Sequence, residues 1–167
     1  MKLKYFSHSA FQITADNGKV ILIDPFLDNN PTSPVKSDEV KADYIITTHG
    51  HGDHIGDAFK IAKRCGSTFI CVDELANYYM GKGFKAHSMH IGGGHNFDFG
   101  KVKFAIAHHG SMTNDGYYGG EPSGVILTIG GKVVYHTGDT GLFYDMKLIG
   151  EINNIDYMLL PIGDNYT

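Results

Sequence analysis

Thr47-Thr48-His49-Gly50-His51-Gly52-Asp53-His54 sets three imidazoles and a carboxylate within six positions, directly behind a run, Tyr44 to Thr48, that reads as a buried strand. His49 and His51 stand two apart, so a locally extended backbone points both the same way. Gly50 and Gly52 remove the side-chain bulk that would keep the loop from folding around an ion. Asp53 and His54 open a helix read over about His54 to Arg64, with the Asp53 carboxylate placed to cap it and Ile55, Phe59 and Ala62 facing inward. Imidazoles and a carboxylate make a borderline-soft donor set that suits zinc, manganese or iron. The competing reading, solvated loop histidines beside a helix cap, leaves this density of ligands unexplained.

Working outward, Lys2 to Phe6 and Phe11 to Thr14 read as strands, and Asp16-Asn17-Gly18 as a hairpin turn into Val20 to Ile23, because Asn-Gly tolerates the positive φ of such turns. A proline-containing loop through Pro31 and Pro34 precedes Tyr44. Thr68 to Val72 is a further strand, and Asp73 is placed to cap a helix to about Met80 that stops at Gly81 and Gly83. Lys101 to Ala107, Gly124 to Ile129 and Lys132 to His136 are strands, the last two joined by Gly130-Gly131. A short helix over Leu142 to Ile149 precedes a final strand, Tyr157 to Pro161. Strand-helix-strand order predicts parallel pairs and a layered α/β fold.

Two later segments carry donors at strand ends. In His108-His109-Gly110-Ser111 the side chains alternate, so one histidine of the pair faces a metal; His136-Thr137-Gly138-Asp139-Thr140-Gly141 sets a carboxylate in a Gly-flanked turn. Either alone reads as a loop cap. Together with the first motif and the preceding Asp24, the order of His49, His51, Asp53, His54, His109 and Asp139 resembles the metallo-β-lactamase superfamily over nearly the whole chain. The combination of Ile23-Asp24-Pro25, Glu121-Pro122-Ser123-Gly124 and Leu160-Pro161-Ile162-Gly163-Asp164 with those segments resembles a branch of metal-dependent hydrolases related to ascorbate-6-phosphate lactonase.

The resemblance implies an αββα sandwich formed by residues 1–167 as one metallo-hydrolase domain, with C-terminal elements missing. It implies that His49, His51 and His109 hold one divalent ion and Asp53 and His54 a second, that Asp139 bridges both, and that Asp24 supports the loop from behind. Zinc is the first expectation, manganese or iron the alternatives. A metal-bound hydroxide at the binuclear site would attack a small ester-like substrate, a lactone or a phosphoester, and Asp53 would serve catalytically by orienting it or returning a proton. The family's last metal-binding His lies beyond the segment matching Leu160 to Thr167, so the second ion lacks one expected ligand, and the intact protein is expected to continue. A homo-oligomer, or a complementing C-terminal chain at an uncovered edge strand, follows as an expected partner. The alternative to hydrolysis is a non-catalytic metal-binding or interaction module left by truncation. Oxidoreductase relatives resemble a pattern with Glu in place of His51.

Composition narrows the classes. The 14 Lys and Arg include a single Arg, Arg64, against 18 Asp and Glu, and no basic run exceeds two residues, so a nucleic-acid partner is disfavoured. Apolar runs fall far short of the ~20 residues that span a bilayer. The N-terminus shows no secretory pattern, so a cytoplasmic address is the default. Cys65 and Cys71 read as reduced core residues. The 22 glycines in 167 residues approach twice the usual share of ~7%, in keeping with tight turns and close backbone approach. His87, His90 and His95 around Gly92-Gly93-Gly94 read as structural residues of a strand-turn-strand. His8 reads as an ordinary surface or core histidine and stays off the ligand set. Tyr117, Tyr118 and Gly119-Gly120 form either a flexible wall over the metals or aromatic packing under a loop.

Overall fold

Phe11–Thr14 (β2) and Val20–Ile23 (β3) pair antiparallel around Asn17-Gly18 in the computed structural model, which describes all of residues 1–167. Gly18 takes φ +85°, the left-handed geometry the turn was read to need. Lys2–Tyr5 (β1) joins β2 antiparallel. Tyr44–Ile46 (β4), Thr68–Val72 (β5) and Lys85–Met89 (β6) extend the sheet beyond β3, each parallel to its neighbour. The crossovers carry Gly52–Ile55 (α1), Ala58–Cys65 (α2) and Asp73–Gly81 (α3). Residues 69–72 of β5 are all buried, as expected for a strand covered on both faces. On one of those faces Phe69 stacks on the fully buried Tyr79 of α3, ring centroids 3.9 Å apart.

The second sheet runs Tyr157–Leu159 (β11), Lys132–His136 (β10), Ser123–Ile129 (β9), Gly100–Ile106 (β8) and Gly94–Phe97 (β7). All its pairings are antiparallel except β10 with β11, which are joined through the helix Asp145–Asn153 (α4). Gly130 and Gly131, at φ +57° and +74°, make the two-residue turn between β9 and β10. The inner faces of the two sheets share one apolar core that includes Ile13, Ile21, Ile45, Phe104, Val125 and Leu127. Ile149 of α4 rests on a smaller cluster of Ala105, Ile126 and Tyr135. The result is the αββα order the resemblance implied. No helix is long and apolar enough to cross a membrane, and both cysteines are free thiols, Cys71 buried.

Several expected boundaries move, each for a tertiary reason. The helix expected over His54 to Arg64 is two helices, broken at Gly56, where φ is +46° and an added Cβ would lie 2.6 Å from Phe26 Cα and the Pro25 carbonyl. The break frees Asp57 to accept hydrogen bonds from the Leu27 and Asp28 amides at 2.9 and 2.8 Å, which fastens the proline-containing loop. Arg64, the lone arginine, holds the same loop by donating to the Ser37 carbonyl at 2.7 Å. Neither Asp53 nor Asp73 caps a helix: His51 and Val72 occupy those positions without side-chain caps. Asp73 instead accepts from Ser88 Oγ, at 2.6 Å, and from Asn77. The last helix starts at Asp145 rather than Leu142. The strands around Gly92 to Gly94 do not pair with each other but belong to different sheets, so this turn carries the chain across the sandwich.

Candidate metal centre

All the donors sit at one rim of the sandwich. β1, β3, β4, β8 and β10 end there, so the segments that follow them, carrying His8, Asp24, His49 to His54, His109 and Asp139, converge. Thr48 stitches the two sheets at this point, its carbonyl accepting from the Ser123 amide at 2.9 Å and the Ser123 hydroxyl at 3.0 Å. Gly50 passes so close to the 111–113 backbone that a Cβ there would stand 3.0 Å from the Met112 carbonyl carbon. Its amide donates to Ser111 Oγ at 3.1 Å. The glycine spacing read as room for a folded loop is therefore room for a second loop as well.

Three overlapping groups of donor atoms form, each with its atoms within 4.8 Å of one another: His49, His51 and His109; His49, His54 and Asp139; and His8, Asp53 and His54. His49 Nε2 lies 3.0 Å from His51 Nδ1, and the His109 ring stands 5.0 Å from each of theirs. Asp139 Oδ2 lies 3.2 Å from His54 Nε2 and 3.8 Å from His109 Nε2, between the two sides. His108 turns out to solvent against Phe143 while His109 joins the cluster, so one histidine of the pair faces it, as alternation predicted. His87 and His95 pack on each other and on Phe97, in no group of three donors. Tyr117 lies against Tyr78, and Tyr118 is exposed, its backbone forming an isolated antiparallel bridge with Met112. His8 is the residue the sequence reading left out.

Asp24 backs the cluster. It is fully buried, accepting from the Thr48 amide at 2.8 Å, the Thr48 hydroxyl at 2.6 Å and His54 Nδ1 at 2.8 Å. Thr48 Oγ1 in turn lies 3.0 Å from His49 Nδ1. Both imidazoles are thus held from behind at Nδ1, with Nε2 facing the rim, the arrangement by which outer partners orient metal-binding histidines. His136 is similarly fixed, with Nε2 donating to the Ser9 carbonyl at 3.2 Å and Nδ1 accepting from the Gly138 amide at 3.1 Å, which sets the turn that presents Asp139. His54 Nε2 is buried with no hydrogen-bond partner, because Asp139, although near, is not aligned to accept. A buried imidazole nitrogen without a partner is costly, and a divalent cation is the ligand that nitrogen fits.

Charge distribution agrees. Burial, reinforced by the positive charge at His54, pushes His49 down to about 2 and keeps it a neutral donor. For His54, burial opposes the charged form, but Asp24 and Asp139 outweigh it and raise the group to about 10. Burial also lowers His109. The His8 hydrogen bond, against some burial, holds Asp53 ionised well below the usual carboxylate range. Without a cation, the His54 pair contributes stability that is complete below pH 6.5 and is lost as pH rises through about 10. A cation held at Nε2 would have to displace that proton. Calorimetric loading at pH 7 in buffers of differing ionisation enthalpy is expected to show about one proton released at this site, with affinity rising about tenfold per pH unit. Loading with no proton release would mean that no imidazolium is displaced at this site.

A family model, the Beta-lactamase superfamily domain, matches residues 19–166. A UPF0173 metal-dependent hydrolase of Bacillus cereus is 52% identical over 172 residues, covering 100% of this chain and 75% of its own length. One from Bacillus thuringiensis subsp. konkukian matches at the same identity and coverage. Among solved structures, Igni18, a metallo hydrolase from the hyperthermophilic archaeon Ignicoccus hospitalis, aligns with a TM-score of 0.89 at 40% identity, covering 99% of this chain and 72% of that one. With the fold, the donor order and these relatives in agreement, the chain belongs to the metallo-β-lactamase superfamily, among its metal-dependent hydrolases.

Proposed function

We propose that the protein hydrolyses a small ester-like substrate at two divalent cations, one held by His49, His51 and His109, the other by Asp53 and His54, with Asp139 between them. The observation that carries this reading is the overlap of the donor groups at one rim, joined through Asp139 and His54. The chemistry such cations supply is a water activated near neutral pH and neutralisation of charge on the attacked oxygen. Zinc fits this nitrogen-rich set best, with manganese or iron as alternatives.

The remaining work falls to the chain. Asp24 and Thr48 hold His54 and His49 in orientation, so little reorganisation is left to occur on binding. Asp53 is half-exposed at the rim and kept ionised by His8, which suits its carboxylate to holding a cation and orienting a water by hydrogen bonding rather than to taking up a proton. Beside Asp139 and His8 opens a cavity of about 610 Å³, walled by Tyr5, Phe11, Leu160 and Ile162, a volume ordinary for a small-molecule site. No Lys or Arg lines it, so a phosphate has no cationic side chain to hold it there except as the reacting group.

The test is elemental analysis of protein purified without chelator or nickel resin, followed by a lactone and phosphodiester screen. About two equivalents per chain and turnover that chelation abolishes and metal restores are expected. One equivalent, or turnover indifferent to chelator, would refute the two-cation reading.

A further inference from the structure

We propose that Asp115 is a positioning residue for the cation of His49, His51 and His109, acting through the hairpin of residues 111–119. This deepens the two-cation reading and rests on it. The three imidazoles come from two separate segments, the loop after β4 and the stretch after β8, and the hairpin is where those segments meet. It leaves His109 through Gly110, and Ser111 Oγ accepts from the amide of Gly50, between His49 and His51, at 3.1 Å. The Met112 and Thr113 backbone crosses Gly50 at a distance that leaves only 3.0 to 3.2 Å to an added Cβ, and a Cβ on Gly52 would overlap the Asn114 amide group. Any shift of the hairpin is therefore felt in both halves of the donor set.

The hairpin has little of its own to hold it. The Met112–Tyr118 bridge, the Thr113 amide on the Tyr117 carbonyl at 2.9 Å and the Gly119 amide on the Ser111 carbonyl at 3.0 Å close it around Gly116, at φ +81°. A lone two-stranded hairpin is marginal in water, so its place depends on what it is tied to. Asp115 is the tie. Its carboxylate accepts from the Tyr78 hydroxyl at 2.8 Å, the Lys82 ammonium at 3.0 Å and the Thr113 hydroxyl at 2.5 Å, and Lys82 Nζ stands 4.5 Å from the Tyr78 ring centroid. α3, which carries Tyr78 and is followed by Lys82, is itself fixed by the buried Leu75, Ala76 and Tyr79. The Tyr79 hydroxyl donates to Thr47 Oγ1 at 3.1 Å, two residues before His49. Adjacent tyrosines of α3 thus grip the motif from two sides, Tyr79 at its strand and Tyr78, through Asp115, at the hairpin above it. An exposed ion pair alone contributes little; the weight rests on three donors converging on one carboxylate and on what that carboxylate holds in place.

The competing account is that Asp115 adds only to general stability. Amide hydrogen exchange and cobalt(II) titration of the metal-free protein separate the two. Asp115→Ala removes the acceptor, Asp115→Asn keeps one acceptor oxygen, and Tyr78→Phe removes a donor from the α3 side while keeping the ring. In Asp115→Ala the Gly50 and Gly119 amides are expected to exchange at least about tenfold faster while the amides of β5 keep their rates, the mark of a local rather than a global opening. The tighter of the two cobalt affinities, expected for the three-imidazole site, falls about tenfold, the lower end of the 10–100-fold range for outer partners, and the weaker one is unchanged. Asp115→Asn restores part of the loss, and Tyr78→Phe reproduces part of it but adds less in the Asp115→Ala background than alone, as partners in one interaction do. Unchanged Gly50 exchange and unchanged affinities would overturn the assignment of Asp115. So would an equal loss of both affinities with faster exchange throughout β5. Wild type binding a single cobalt would overturn the two-cation reading, while Gly50 exchange and that one affinity would still decide the role of Asp115.

Discussion

Asp139→Ala is expected to remove one of two cation equivalents and to lower hydrolysis by at least about 10²–10³-fold, the usual cost of deleting a preorganised electrostatic group from a reacting centre. Asp139 is the one carboxylate at ion-pair distance from both His54 and His109, and it shares a donor group with His49. Burial disfavours its charge, yet His54 keeps it ionised. Asp139→Asn preserves shape while removing that charge, so loss of the ion in both variants assigns the effect to the carboxylate rather than to packing. Elemental analysis and turnover on the best substrate from the screen are the measurements. A non-catalytic metal-binding module would change only in stability and metal content. An unchanged rate in Asp139→Ala would remove the hydrolytic site from this rim altogether.

Much of this centre was legible because its information is local. His49 to His54 carry their spacing within one loop, and short apolar runs mark β2, β3 and β5 at the bounds the structure shows. Alternation showed that only one of His108 and His109 faces the rim, and the resemblance named His109. The features that escaped depend on partners distant in sequence. Gly56 looks like an ordinary small residue in a helix until the Pro25-Phe26 backbone is packed against it, and Asp57 gains its role from the amides of Leu27 and Asp28. Asp53 reads as a cap because caps are acidic, whereas its carboxylate is taken by His8 across 45 positions. His8 itself had no neighbour in sequence to mark it. Only the β1–β2–β3 pairing brings its turn to the rim.

Asp24→Ala in metal-free protein is expected to lose about 3–5 kcal/mol of folding stability, the scale for stripping one partner from a buried ion pair and a large part of the ~5–15 kcal/mol a domain has. The substitution leaves the Thr48 amide, the Thr48 hydroxyl and His54 Nδ1 without their acceptor in a fully buried place. It also puts alanine at φ +45°, which aspartate tolerates better. Urea unfolding in chelator is the proper measurement, because cations binding the folded state would add their own linkage. The pH dependence identifies the cause. Wild type holds imidazolium at His54 up to about 10, so its advantage over the variant is complete below pH 6.5 and narrows as pH climbs toward that value. A loss that stays constant from pH 6 to 10 would trace to the Thr48 hydrogen bonds alone, and a loss under about 1 kcal/mol would mean that Asp24 does not hold the loop. Refilled with metal, the same variant is expected to bind about 10–100-fold more weakly, since the carboxylate that stabilises the rim also aims His54 at the ion.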